Sequence, residues 1–217
     1  VQLVRAFSRN RLKPRWSWPT NLWAYFNSDF ALKHSQAMGV PTRMTRLIYS
    51  GVDTEKFAFR PRTEIGTPLK ILVPGRIEPD KGTIDALRLL ATLRDYQIDA
   101  NLTLLGKVFN DLYAQELQNL ILGMGLGTEI TVLPMQTHLE MIPLYQQADI
   151  CFFPSRHPYG LSRVPLEAAA CGCLIFTYGN EGSKNIVVND QNGFLVNQGD
   201  YEGIAQQILG LYQDPEK

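Results

Sequence analysis

From Leu69 to Tyr212 the chain alternates short, unbroken apolar runs with longer stretches in which apolar residues recur every three or four positions. LKILVPG is closed by Pro74 and Gly75, and KGTIDALRLLATLRDY carries Ile84, Leu87, Leu90 and Leu93 at helical spacing. The pair then repeats. NLTLLG precedes DLYAQELQNLILGMG, EITVLP precedes THLEMIPLYQQA, DICFFPS precedes SRVPLEAAACG, CLIFTYG precedes SKNIVV, and GFLV precedes YEGIAQQILGLY. Runs with no polar alternation are buried on both faces, and parallel neighbours need a crossover helix between them. The pattern therefore predicts an α/β domain, a doubly wound parallel sheet, over residues 51–217.

Residues 1–50 follow another pattern. VQLVRAFSRNRLKPRWSWPTNLW holds no sustained period, and NSDFALKHSQAMGV reads as one helix, capped by Ser28 or Asp29 and stopped at Gly39. A loose arm and a helix are expected here. Their basic and aromatic side chains suit nucleic acid or a surface that packs on another domain. The second is preferred, with the segment a remnant of a preceding domain and no nucleic-acid partner. A first residue of Val1, with no signal-peptide layout, points to a piece of something longer.

Composition narrows the function classes. The 217 residues include 21 basic and 21 acidic side chains, so no polyanion surface is the expected main partner. No run approaches the roughly 18 to 20 apolar residues of a membrane-spanning helix. Cys151, Cys171 and Cys173 lack CxxC spacing, so they read as buried packing in a reduced, cytoplasmic setting, with no zinc site and no other metal.

In a doubly wound sheet, ligands bind outside the carboxyl ends of the strands. After the first run comes PGRIEPDKG, where Arg76 and Lys81 flank Glu78 and Asp80 beyond Gly75. Two cations there suit a diphosphate, each contact on the order of 4 kcal/mol before desolvation at an effective dielectric near 20. A solvated loop with Arg76 paired to Glu78 or Asp80 is the alternative. Val132 to Gln136, including Met135, offer an apolar shelf of base size or an ordinary turn. Ser162 is placed to cap a helix over 163–170, whose free amides around Leu161 and Ser162 favour an anion. Glu167, one turn in, can accept bonds from two vicinal hydroxyls or pair with Arg163 at i−4. Gly182 and Ser183 open a further loop that suits an anion or a sugar hydroxyl, or is a plain glycine loop.

The order of these segments resembles one family, the retaining group 1 glycosyltransferases of GT-B fold. The resemblance runs from about Asn27 to Tyr212 and is carried by IYSGVDTEKF, PGRIEPDKG, LTLLGK, YQQADICFFPS, GLSRVPLEAAACG and VNDQNGFLV. It implies that this chain is the C-terminal, Rossmann-like donor half. Arg76 and Lys81 match the pair that neutralises the donor diphosphate, and Gly75 lies beside them. Glu167 matches the second glutamate of the family's E-x7-E element, which holds the ribose. Val132 to Gln136, with Met135, match the base cradle. Leu161 and Ser162 fall where amides approach the diphosphate, Gly160 precedes them on the donor-binding side, and Gly182 and Ser183 fall in the donor-sugar loop. Two positions depart from the pattern: Tyr159 stands where the first glutamate is expected, and Asn185 where the GGxxE-like loop carries another.

The implied function is transfer of a hexosyl group from a UDP- or GDP-linked donor to a glycan, lipid or small acceptor. The acceptor would sit on the absent N-terminal domain. No cofactor is implied, and the parent protein would be cytoplasmic, with a peripheral association at the inner face of a membrane within its range. The isolated piece would turn over little. Tyr159 and Asn185 keep open a noncatalytic nucleotide-binding module. An epimerase or phosphorylase on the same architecture lacks, respectively, its acid and base carboxylates and its cofactor lysine.

Overall fold

The computed structural model describes residues 23–62, 64–156, 161–179 and 182–213. Two sheets form. Strands β1 (Ala24–Phe26) and β2 (Thr45–Leu47) pair in parallel, joined by helix α1 (Asp29–Ala37), whose N-cap Ser28 accepts a bond from the Ala31 amide at 3.1 Å. The arm-and-helix expectation missed both strands because AYF and TRL are too short to carry a period.

The second unit is a six-stranded parallel sheet. It comprises β3 (Leu69–Pro74), β4 (Ala100–Leu105), β5 (Ile130–Leu133), β6 (Ile150–Phe153), β7 (Leu174–Tyr178) and β8 (Gly193–Val196), in the order β5-β4-β3-β6-β7-β8. The crossovers carry α2 (Thr83–Asp95), α3 (Asp111–Met124), α4 (His138–Gln147) and α5 (Arg163–Ala170), and α6 (Tyr201–Gln213) follows β8. The doubly wound sheet expected from the apolar runs is the fold found.

Alternation along each strand separates two cores. Leu69, Ile71 and Val73 of β3 point with Phe152 and Phe176 toward α2, α3 and α6, among Leu87, Leu93, Leu117 and Ile208. Leu72, Cys151 and Ile175 face α4 and α5, among Met141, Tyr145 and Ala168. Each fully buried aliphatic side chain contributes about 1.5–3 kcal/mol. All three cysteines are free and buried in the second core, as packing residues.

One expected helix is corrected. SKNIVV forms only a 3-10 turn, Ser183–Asn185. The Asn192 side chain accepts from the Val188 amide at 2.8 Å and donates to the Ile186 carbonyl at 2.9 Å, and Asn189 Oδ1 accepts from Leu195 N–H at 2.7 Å. These side-chain bonds take backbone groups that a helix would need.

The strand ends are tied closely. Gly106 has φ 153°, and any Cβ there would collide with the Gly75 carbonyl. Gly82 has φ 71° and lies so near Pro154 that only glycine fits. The Arg156 amide donates to the Asp80 carbonyl at 2.9 Å. Its guanidinium grips Asp85 of α2 through Nε at 2.9 Å and Nη2 at 2.7 Å, and Tyr201 Oη of α6 donates to the same carboxylate at 2.5 Å. Burial alone would raise the Asp85 carboxyl, but the bonds from Arg156 and Tyr201 hold it below its ordinary value.

Gly106→Ala is expected to cost about 1–3 kcal/mol in urea unfolding through its positive φ and the collision, whereas Gly123→Ala, in open space on α3, gains about 0.5–1 kcal/mol. Asp85 also predicts a pH effect. Its folded pKa is depressed, so its contribution is complete above the unfolded value of about 3.9 and disappears as pH falls through the lower folded value. Asp85→Asn should therefore be less stable than wild type by about 1.5–3 kcal/mol at pH 7, with the gap narrowing as pH falls below about 3.9; a gap independent of pH would contradict the charged network.

Candidate functional site

The strand order reverses between β3 and β6, so the loops after these two strands leave on opposite faces and open a crevice. Gly75 follows β3 with φ 144° and open space where a side chain would stand. Arg76, Lys81 and Gly75 line one shallow cleft with Phe153 and Pro154. The structure thus brings together the two cations that the sequence singled out. Arg76 is half-exposed and pairs with Glu78 at 2.9 Å, as the alternative reading of that loop expected. Lys81 does not open α2: it ends a 3-10 turn, Pro79–Lys81, and left-handed Gly82 separates it from the helix. Burial, and then the neighbouring Arg76 charge, push the Lys81 ammonium below its usual range, against the pull of Asp80 and Glu78. An arriving anion would relieve both costs.

Helix α5 follows β6 across the crevice and begins where the spacing predicted. Ser162 is its N-cap, but its side chain makes no capping bond, which corrects the expected hydroxyl cap. Leu161 is buried; Tyr159 and Gly160 lie outside the described residues. Glu167, one turn in, is only 4% exposed, so it is no surface glutamate. Its Oε2 accepts from Tyr145 Oη at 3.4 Å. Its Oε1 is ion-paired with Arg163 Nη2 at 3.1 Å, as the alternative reading expected, and lies 3.5 Å from His138 Nδ1, yet accepts no hydrogen bond from either. A buried carboxylate oxygen is thus left with acceptor capacity to spare.

His138 comes from α4, which a Thr137–Glu140 capping box starts. Phe57, from the linker before β3, packs edge-on against His138 at 6.0 Å and beside Tyr145 at 6.4 Å. Burial first, then Cys151 and Glu167, raise the Tyr145 phenol, which stays a donor. Ahead of α4, Val132 is 55% and Met135 72% exposed. On the other side of β6, Gly182 has an ordinary φ of −77°. Ser183 is buried with its hydroxyl 3.0 Å from that of Thr177, which turns it inward. Among the described residues no three His, Cys, Asp or Glu side chains group as a metal site.

His138, Tyr145 and the Asp85–Arg156–Tyr201 network were missed in the sequence. His138 carries a usable signal, since it follows Thr137 at the start of a helix just beyond a strand end. Tyr145 reads as an ordinary core aromatic, and Arg156 and Tyr201 meet Asp85 only across 71 and 116 positions.

The sequence profile of the family described as "Glycosyl transferases group 1" matches residues 55–217. The chain is 30% identical over 172 residues to "Glycogen synthase" of Mycobacterium tuberculosis, covering 78% of this chain and 40% of that protein. It is 27% identical over 208 residues to a "GDP-mannose-dependent alpha-(1-6)-phosphatidylinositol monomannoside mannosyltransferase" of Mycolicibacterium smegmatis, covering 89% and 52%. A crystal structure of Anabaena HepE in complex with UDP-glucose superposes with a TM-score of 0.77 at 21% identity, over 89% of this chain and 55% of that one. The chain therefore spans about half the length of the proteins it matches, and its fold is one shared with GT-B glycosyltransferases. With the profile match running through both loops of the crevice and both helices that meet at Glu167, the chain belongs to the group 1 glycosyl transferases.

Proposed function

We propose that residues 51–217 are the donor-binding domain of a retaining hexosyltransferase that uses a UDP- or GDP-linked sugar. Residues 1–50 then end a preceding, acceptor-binding domain. In support, the β1–β2 sheet has two strands among the described residues, and a sheet of two strands is marginally stable on its own. Arg76 and Lys81 grip the diphosphate and stabilise the charge it gathers as the sugar–oxygen bond breaks, an electrostatic role at preorganised cations. Glu167 takes the ribose hydroxyls, the exposed Val132 and Met135 face the base, and the amides of Leu161 and Ser162 approach the diphosphate. Tyr159, Gly160, Gly182 and Ser183 belong to the donor-sugar side, the last through its backbone. The acceptor is a glycan, lipid or small molecule held by the domain outside this chain, and the isolated chain turns over little. The protein acts in the cytoplasm, with a peripheral association at the inner face of a membrane as the alternative; among the described residues no helix is long and apolar enough to cross one.

The observation that carries this reading is Glu167 Oε1. This oxygen is ion-paired with Arg163 but accepts no hydrogen bond, and a ligand hydroxyl would supply one, worth about 1.5–3 kcal/mol for a bond to a charged group. Calorimetry of UDP, GDP and ADP against the full-length protein is expected to select one. Arg76→Ala with Lys81→Ala should weaken that nucleotide about 100-fold or more, since charged hydrogen bonds contribute about 1.5–3 kcal/mol each. A 2′,3′-dideoxy analogue should bind wild type as weakly as the parent nucleotide binds Glu167→Ala. Nucleotide affinity untouched by the double substitution would overturn the diphosphate assignment. Tight binding without sugar transfer would mark a noncatalytic module.

A further inference from the structure

The two loops that form the crevice belong to different crossovers, and nothing in the strand order alone fixes their separation. Arg156 does so by three bonds at once. Its amide holds the carbonyl of Asp80, the residue before Lys81. Its guanidinium makes a two-pronged grip on Asp85, one turn into α2 and fully buried. The same carboxylate is the acceptor for Tyr201 at the start of α6. Arg156 itself follows β6 on the way to α5. A buried ion pair is a poor source of stability compared with apolar packing, but it is a rigid spacer: the guanidinium fork admits one geometry on a carboxylate. Gly82 pressed on Pro154 brings the same two loops into contact from the other side.

We propose that Arg156, held by Asp85 and Tyr201, is a positioning residue that fixes the Lys81 turn against the end of β6, and so places the Lys81 cation for a diphosphate rather than for a single phosphate. The assignment rests on the donor-site reading of the preceding section. Its spacing role follows from where the bonds run. They join α2, α6 and the β6 loop to the turn that carries the cation, and Asp85 occupies both prongs of the guanidinium.

The test compares affinities of the nucleoside diphosphate that wild type selects and of its monophosphate, in full-length wild type, Arg156→Gln, Asp85→Asn and Tyr201→Phe. The ratio of the two affinities does not depend on the fraction folded, so a merely structural role leaves it unchanged. In Arg156→Gln and Asp85→Asn the ratio is expected to fall about tenfold, almost wholly through the diphosphate, and in Tyr201→Phe about two- to threefold. Should Arg156→Gln fail to fold, the other two variants carry the same readout. Unchanged ratios overturn the proposal. So does tighter diphosphate binding in Asp85→Asn, which would mean that Arg156, once released, contacts the ligand itself. Wild type that binds none of UDP, GDP and ADP overturns the donor-site reading, and the spacing role with it.

Discussion

Parallel pairing imposes the constraint from which the rest of this structure follows. Each strand must return to the same end of the sheet before the next begins, so every connection is a crossover. With β3 in the middle, strands β4 and β5 add on one side and β6, β7 and β8 on the other. The helices consequently divide between two faces, with α2, α3 and α6 on one core and α4 and α5 on the other. The reversal next to β3 cannot be closed by backbone pairing, because the chains leaving β3 and β6 diverge.

That unclosed point is where polar and strained features gather. Left-handed glycines bring the β3, β4 and β6 ends into near contact. A lysine loses part of its hydration there, and a buried carboxylate is held ionised by an arginine and a tyrosine from distant parts of the chain. On the second face, Glu167 keeps one oxygen ion-paired with an arginine but without a hydrogen bond, beside a tyrosine and a histidine. Costs of this kind are tolerated where surrounding packing over-determines the conformation, and the two apolar cores flanking the crevice supply that packing.

The strands and helices beyond Leu69 were legible because burial on both faces writes uninterrupted apolar runs, and packing on one face writes a period. SKNIVV misled because its apolar residues fit a helix while Asn189 and Asn192 act on the backbone in a way no period records. The three-residue strands β1 and β2 are below the length at which a pattern exists. Arg76 and Lys81 were found because they lie in the loop that directly follows β3, and Glu167 because it falls one turn into the helix that follows β6. Their partners were not, since His138 reaches Glu167 from a different helix and Arg156 meets Asp85 through the fold alone. Local chemistry is readable in a sequence; spacing between loops is a property of the assembled sheet.

The three cysteines carry a practical consequence. Burial pushes Cys171 up to about 11 and Cys173 up to about 12, and drives Cys151 well above its ordinary value. At neutral pH about one Cys171 in ten thousand is then a thiolate, and only the thiolate attacks disulfides and alkylating reagents. Because all three sit in the core between the sheet and helices α4 and α5, a thiol reagent meets them only when that face opens. The rate of labelling is thus a native clock for the parting of α4 and α5 from the sheet, on the face of the domain where Glu167 lies.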